Sequence, residues 1–125
     1  MPASERAVEL ALTAAQAAAD KKAEKIIALD VSEHLVITDV FVLASAPNER
    51  QVQAIVDAVE AALVQLPDKA KPIRREGERA GRWVLLDFND IVVHVQHNDE
   101  REFYALDRLW KDCPQIEFVD RALIS

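Results

Sequence analysis

The residues best equipped for chemistry crowd into RWVLLDFNDIVVHVQ, from Arg82 to Gln96, where Asp87, Asp90 and His94 stand among valines and leucines with His97 just beyond. An imidazole beside a carboxylate is the pairing used for general acid–base work and for holding a transition metal. Spacing tests both uses. His94 and His97 are three apart, which on a strand sends them to opposite faces, so one ion cannot take both while the strand continues. Asp87 and His94 share a face only as diagonal neighbours, and the local sequence adds no third ligand. Among nucleophiles, Cys113 precedes Pro114 with no local sign of activation and reads as a small apolar filler. Ser45 lies at a strand-to-helix junction, where its simplest job is to cap the next helix. Asp39, inside VITDVFVL, reads as an acid tied to backbone amides, with a functional carboxylate as the alternative. With Gly77 and Gly81 as its only glycines, the chain can hardly build a phosphate loop. No catalytic residue, no metal and no cofactor is assigned.

Several elements must position these residues. Residues 4–20 are rich in alanine, the best helix former, behind Ser4 as N-cap. Lys25 to Val31 and Val36 to Ala44 are β-branched runs that predict an antiparallel pair. From Asn48 to Leu66 the apolar positions Val52, Ile55, Val56, Val59, Leu63 and Leu66 trace one helical face, and Pro67 stops it. Ile73 to Glu76 is a short strand candidate, and Gly77 and Gly81 flank a turn. Trp83 to Phe88 and Ile91 to Gln96 are strands joined through Asn89 and Asp90, residue types that tolerate tight turns. Asn98 is placed to cap a last helix whose buried face is Phe103, Leu106, Leu109 and Trp110. The order predicts an α/β fold of the α+β kind, a mixed sheet of roughly five strands flanked by helices, with the second helix as crossover. One domain is expected over residues 1–125: an N-terminal helix in 1–22, a core in 23–112 and a tail in 113–125.

A two-residue turn fixes the hairpin register, pairing Phe88 with Ile91, Leu86 with Val93 and Val84 with Val95 on a wholly apolar face. The other face pairs Asp87 with Val92, Leu85 with His94 and Trp83 with Gln96. Two readings of that mixed face stand. A helix covers it and the polar groups bond within the domain, or Trp83, Leu85 and Val92 form an exposed apolar patch rimmed by Asp87 and His94. Tryptophan inside a polar rim is how binding hot spots are built.

Half of the 125 residues are hydrophobic, enough for one compact core. A formal charge of -7 works against nucleic acid, which attracts lysine and arginine, and favours basic partners. Arg74, Arg75 and Arg79 form a small basic cluster that reads as a solvated face or as a partner for acids of a second copy. A single cysteine excludes an internal disulfide and suits a reducing cytoplasm. Neither a secretory leader nor a membrane span is expected, since Glu5, Arg6 and Glu9 interrupt the alanines and no apolar run is long enough.

Five segments together resemble the RsfS family of ribosomal silencing factors, also called Iojap: LDV at 29–31, TDVFVLASAPNERQVQAI from Thr38, REG at 75–77, WVLLDFNDIVVHV from Trp83 and REFYALDRLW from Arg101. They occur in the family's order from about Ala23 onward. The resemblance implies a protein that binds the large ribosomal subunit through ribosomal protein L fourteen, with little direct nucleic-acid contact. It would sterically block joining of the small subunit and repress translation under nutrient limitation. It also implies a homodimer when free, and partner contacts on Trp83, Leu85, Asp87, Asp90, Val92, His94 and Tyr104. Domains of this kind are similar to the nucleotidyltransferase fold, so a metal-dependent enzyme of that architecture is the rival, with a homodimeric interaction module as the remaining alternative. The rival lacks its motif. There is no Gly-Ser pair, and the position two beyond Asp39 is Phe41 rather than an acid.

Overall fold

A computed structural model describes residues 2–123; Met1, Ile124 and Ser125, the extremes of the expected 1–125 domain, lie outside it. The elements run α1 (Glu5–Asp20), β1 (Glu24–Asp30), β2 (Val40–Ala46), α2 (Glu49–Val64), β3 (Arg74–Glu76), β4 (Trp83–Asp87), β5 (Ile91–His97), α3 (Asn98–Tyr104), α4 (Leu106–Leu109) and β6 (Gln115–Ile116). One mixed sheet has the order β3-β4-β5-β2-β1-β6. Only β2 and β5 run parallel, and the other pairs are antiparallel. The sixth strand comes from the segment expected to be a tail. Ala28 pairs with Ile116, and the Asp30 amide donates to the Pro114 carbonyl at 2.8 Å.

Both long helices lie on one face of the sheet because their apolar stripes match its pleat. Leu10 and Ala14 of α1, with Ile55, Val59 and Leu63 of α2, are buried in one cluster with Val42, Val84, Leu86, Val93 and Val95. Small alanines let α1 sit close to its neighbours. Ser4 caps α1 by accepting from the Ala7 amide at 3.0 Å. Asn48, not Ser45, caps α2, accepting from the Gln51 amide at 2.8 Å. Ser45 is buried inside β2 and donates to the Glu24 carbonyl instead. From α1, Gln16 clasps the C-terminal segment: its Nε2 donates to Asp120 and its Oε1 accepts from the Arg121 amide.

Two elements depart from the sequence pattern. Val36 and Ile37 do not start β2 but stand exposed in a loop. The amides of His34 and Leu35 turn back to the Val31 carbonyl, and the Val31 amide then takes Asp39, so the chain closes below them. The predicted last helix is broken at Ala105, whose left-handed φ of 47° ends α3 and redirects α4. A single helical face therefore does not run through it. Leu106 and Trp110 still pack, whereas Phe103 and Leu109 are 79% and 70% exposed, contrary to the buried face expected of an unbroken helix.

Gly77 is required where it stands. Its φ is 84°, and a Cβ added there would overlap the Trp83 backbone carbonyl. Gly77→Ala is expected to lower stability by about 1–2 kcal/mol, read as a shift in the urea midpoint. An unchanged midpoint would mean that the β3–β4 turn relaxes without cost.

Candidate functional site

The second sheet face is where the singled-out residues meet. The hairpin register is as the turn dictates: Trp83 pairs with Gln96, Leu85 with His94 and Asp87 with Val92. Asn89 takes the left-handed conformation at φ 74°, which short polar side chains tolerate. The Asp87 carboxylate accepts from the Asn89 amide at 2.8 Å, and Arg74 lies 3.6 Å from its other oxygen. Asp87 is thus engaged in building the turn. Asp90 is half-buried beside it, and its backbone carbonyl accepts from the Asp39 amide.

Rings link the face from side to side. His34 meets Trp110, Trp110 meets Phe41, Phe41 meets His94, His94 meets Trp83, Trp83 meets Tyr104 and Tyr104 meets Phe103, with centroids 4.8 to 6.2 Å apart. Most contacts are edge-on or tilted, the geometry that aromatic quadrupoles favour. Trp83 and Leu85 are half-buried, Tyr104 is 48% exposed, and Phe103 closes the open end.

One residue expected in the exposed patch, Val92, and one expected at its rim, His94, are instead buried. Val92 is 8% exposed and His94 5%, so neither forms part of an open edge. Phe41 covers this ground, since parallel pairing sets Phe41 beside Val92 and its ring stands edge-on to His94 at 4.9 Å. His94 supports the indole from beneath: Trp83 Nε1–H donates to His94 Nδ1 at 3.2 Å. The neutral ring then carries its proton on Nε2. Burial, helped by the charge of Arg101, lowers its pKa from 6.5 to about 4.

Gln96 is buried on this face too, and beneath it lies a further buried polar residue, Arg101. It grips Asp107 with two hydrogen bonds, at 2.8 and 2.7 Å, and donates to the Lys25 carbonyl at 2.6 Å. Its guanidinium holds the Asp107 carboxyl below the usual range. Residues six apart do not meet on a straight helix, so only the break at Ala105 brings this pair together. No sequence spacing signals it. Phe41, by contrast, is marked by alternation with Val40 and Val42, although its neighbour β5 is not.

Nothing on this face is arranged as a reaction centre. His97 caps α3, accepting from the Asp99 amide at 3.1 Å, on the opposite side of β5 from His94. Asp30 and Asp39 hold the backbone ahead of α1, accepting from the amides of Ala3 and Ser4 at 2.9 and 3.0 Å. Cys113 is buried against Leu29, Val31 and Leu43, and burial pushes its thiol pKa up. Among the described residues no three His, Cys, Asp or Glu side chains gather as a metal site, and no helix is long and apolar enough to cross a membrane.

Known proteins resemble this chain in sequence and fold. The family described as "Ribosomal silencing factor during starvation" matches residues 4–124. A protein of Halalkalibacterium halodurans named ribosomal silencing factor RsfS is 41% identical over 109 residues, which cover 87% of this chain and 92% of that one. One of the same name from Bacillus subtilis is 41% identical over 102 residues, 81% of this chain and 84% of the relative. A crystal structure of a Chromobacterium violaceum protein superposes with a TM-score of 0.77 at 31% identity, covering 89% of this chain and 90% of that one.

Proposed function

The chain belongs to the RsfS family of ribosomal silencing factors, and from that premise we propose that it binds the large ribosomal subunit through ribosomal protein L fourteen and keeps the small subunit from joining. Repression of translation under nutrient limitation follows, because a subunit whose joining surface is occupied cannot initiate. The mechanism is steric and involves no catalysis, and its setting is the cytoplasm.

The observation that carries this reading is the half-open aromatic strip. Trp83 and Leu85 present apolar surface on a rigid sheet, with Tyr104 tilted against the indole at 4.8 Å and Phe103 beyond it. Ordered rings lose little freedom on docking, which is why such residues make binding anchors. Trp83, Leu85, Tyr104 and Phe103 are assigned to contact. Asp90 supplies charge at the turn, and Asp87 shares that role with its work in the hairpin. Val92 and His94 act from below, holding the contact residues in place.

Charge favours a basic protein as the direct target. The 22 acids outnumber 15 lysines and arginines, and opposite potentials speed encounter. Raising ionic strength is therefore expected to slow association with purified large subunits, measured by stopped flow. A rate independent of salt would remove the electrostatic part of the argument. The central test is cosedimentation with large subunits, followed by addition of small subunits: the protein is expected in the large-subunit fraction, with fewer joined ribosomes. Joining that proceeds unhindered rejects the reading. The free chain is expected to pair with a second copy, since an uncovered apolar strip invites association. Sedimentation velocity without subunits reads that state.

A further inference from the structure

The charge of this chain is divided between two regions. Six of the fifteen lysines and arginines but only two of the twenty-two acids fall within residues 69–82, so this stretch carries a formal +4 and the remainder -11. It forms the β3 edge of the sheet and the turn that leads into Trp83. Between Lys71 and Ala80 every residue except Pro72 is exposed. Arg74 and Arg75 are held by Glu76 and Glu60, and Arg82 by Glu49 and Glu100. Lys69, Lys71 and Arg79 have no ion pair among the described residues.

A charged edge by itself serves to stop two sheets from pairing. That role needs charge of either sign, and the surrounding surface is acidic, so acids would have served as well. The sign therefore carries information. A basic protein that suits the acidic surroundings of Trp83 would be repelled by this edge.

Resting on the proposed docking to the large subunit, we propose that Lys69, Lys71 and Arg79 form a second contact, with the phosphate backbone of ribosomal RNA beside the protein dock. Gly77 packs directly against the Trp83 backbone, so the basic edge and the aromatic strip are rigidly adjacent. Docking the strip on protein carries the edge to whatever lies next to it, and phosphate is the surface its charge selects. Phosphate contacts of this kind position a protein without reading sequence.

The experiment compares the full chain with the variant Lys69→Gln/Lys71→Gln/Arg79→Gln in binding to purified large subunits over a salt series. Each lost phosphate contact removes about 0.7–0.9 from the slope of log affinity against log salt. Between 50 and 200 mM salt the parent is then expected to lose affinity about 20- to 40-fold more than the variant. Binding to isolated protein L fourteen should not change, and Arg79 should crosslink to RNA in the parent complex. Equal affinity and slope for parent and variant would overturn the second contact while leaving the protein dock intact. So would an equal loss on isolated L fourteen, or a loss on subunits with crosslinks only to protein, which would place an acidic protein at the edge. A parent that fails to bind subunits at all rejects the proposed function itself, and the edge contact with it.

Discussion

Trp83→Ala is expected to weaken binding to the large subunit by about 2 kcal/mol or more, roughly a 30-fold rise in Kd. The indole is half-buried in the free molecule, tilted against Tyr104 at 4.8 Å and fastened to His94 at 3.2 Å. It is therefore presented in one orientation, and little entropy is lost when a partner closes over it. Truncation also loosens Tyr104 and leaves His94 Nδ1 without its donor, so the fold must be checked by thermal unfolding. Trp83→Phe separates the two effects: it keeps an apolar ring but gives up the N–H, and its affinity should lie between parent and alanine. If Trp83→Ala stays folded and cosediments as the parent does, the dock lies elsewhere.

Acid is expected to destabilise the fold through His94. The folded ring titrates at about 4 and the unfolded one near 6.5, so between those values the unfolded chain binds the extra proton. Its contribution to stability is fully present above pH 6.5 and is lost as pH falls to about 4, with no further loss below. The difference corresponds to about 3 kcal/mol at most. Protonation would also place a hydrogen on Nδ1 and abolish the acceptor that holds Trp83. Urea unfolding of the parent and of His94→Asn from pH 7 to 4 isolates this part, because carboxylate titration is common to both. Asparagine keeps an acceptor for the indole without titrating in this range. The gap between the two proteins should change by up to that amount over the window. A constant gap would mean that the buried ring accepts its proton without opposing the fold.

What the sequence makes legible depends on whether the determining contacts are local. The β4–β5 register is set by two residues at the turn, and the pairings read from it are found from Trp83 with Gln96 to Asp87 with Val92, while Phe88 and Ile91 meet through a turn hydrogen bond. The stripe of α2 is equally local. Exposure is not, because it depends on what lies across the sheet. Val92 and His94 belong to the mixed face as expected, yet Phe41 covers them through a parallel pairing between strands that are not neighbours in sequence. The break at Ala105 is hidden for another reason: alanine is the best helix former, and its left-handed conformation here comes with tertiary anchoring, including the Arg101 to Asp107 pair across it. The family was legible because its segments are contiguous. The basic β3 edge was legible in part, as the cluster of Arg74, Arg75 and Arg79, although a net charge of -7 conceals its local +4.

The clasp between Gln16 and residues 120–121, together with the pairing of β6 on β1, sets an order in time. Segment 114–123 is translated after every element that it fastens. While the chain is being made, the outer side of α1 and the free flank of β1 must wait uncovered, with the helical pair and the central strands already able to assemble. Closing the β1 flank and fastening α1 are thus late stitches in the order of synthesis, made after the surfaces they cover have been built.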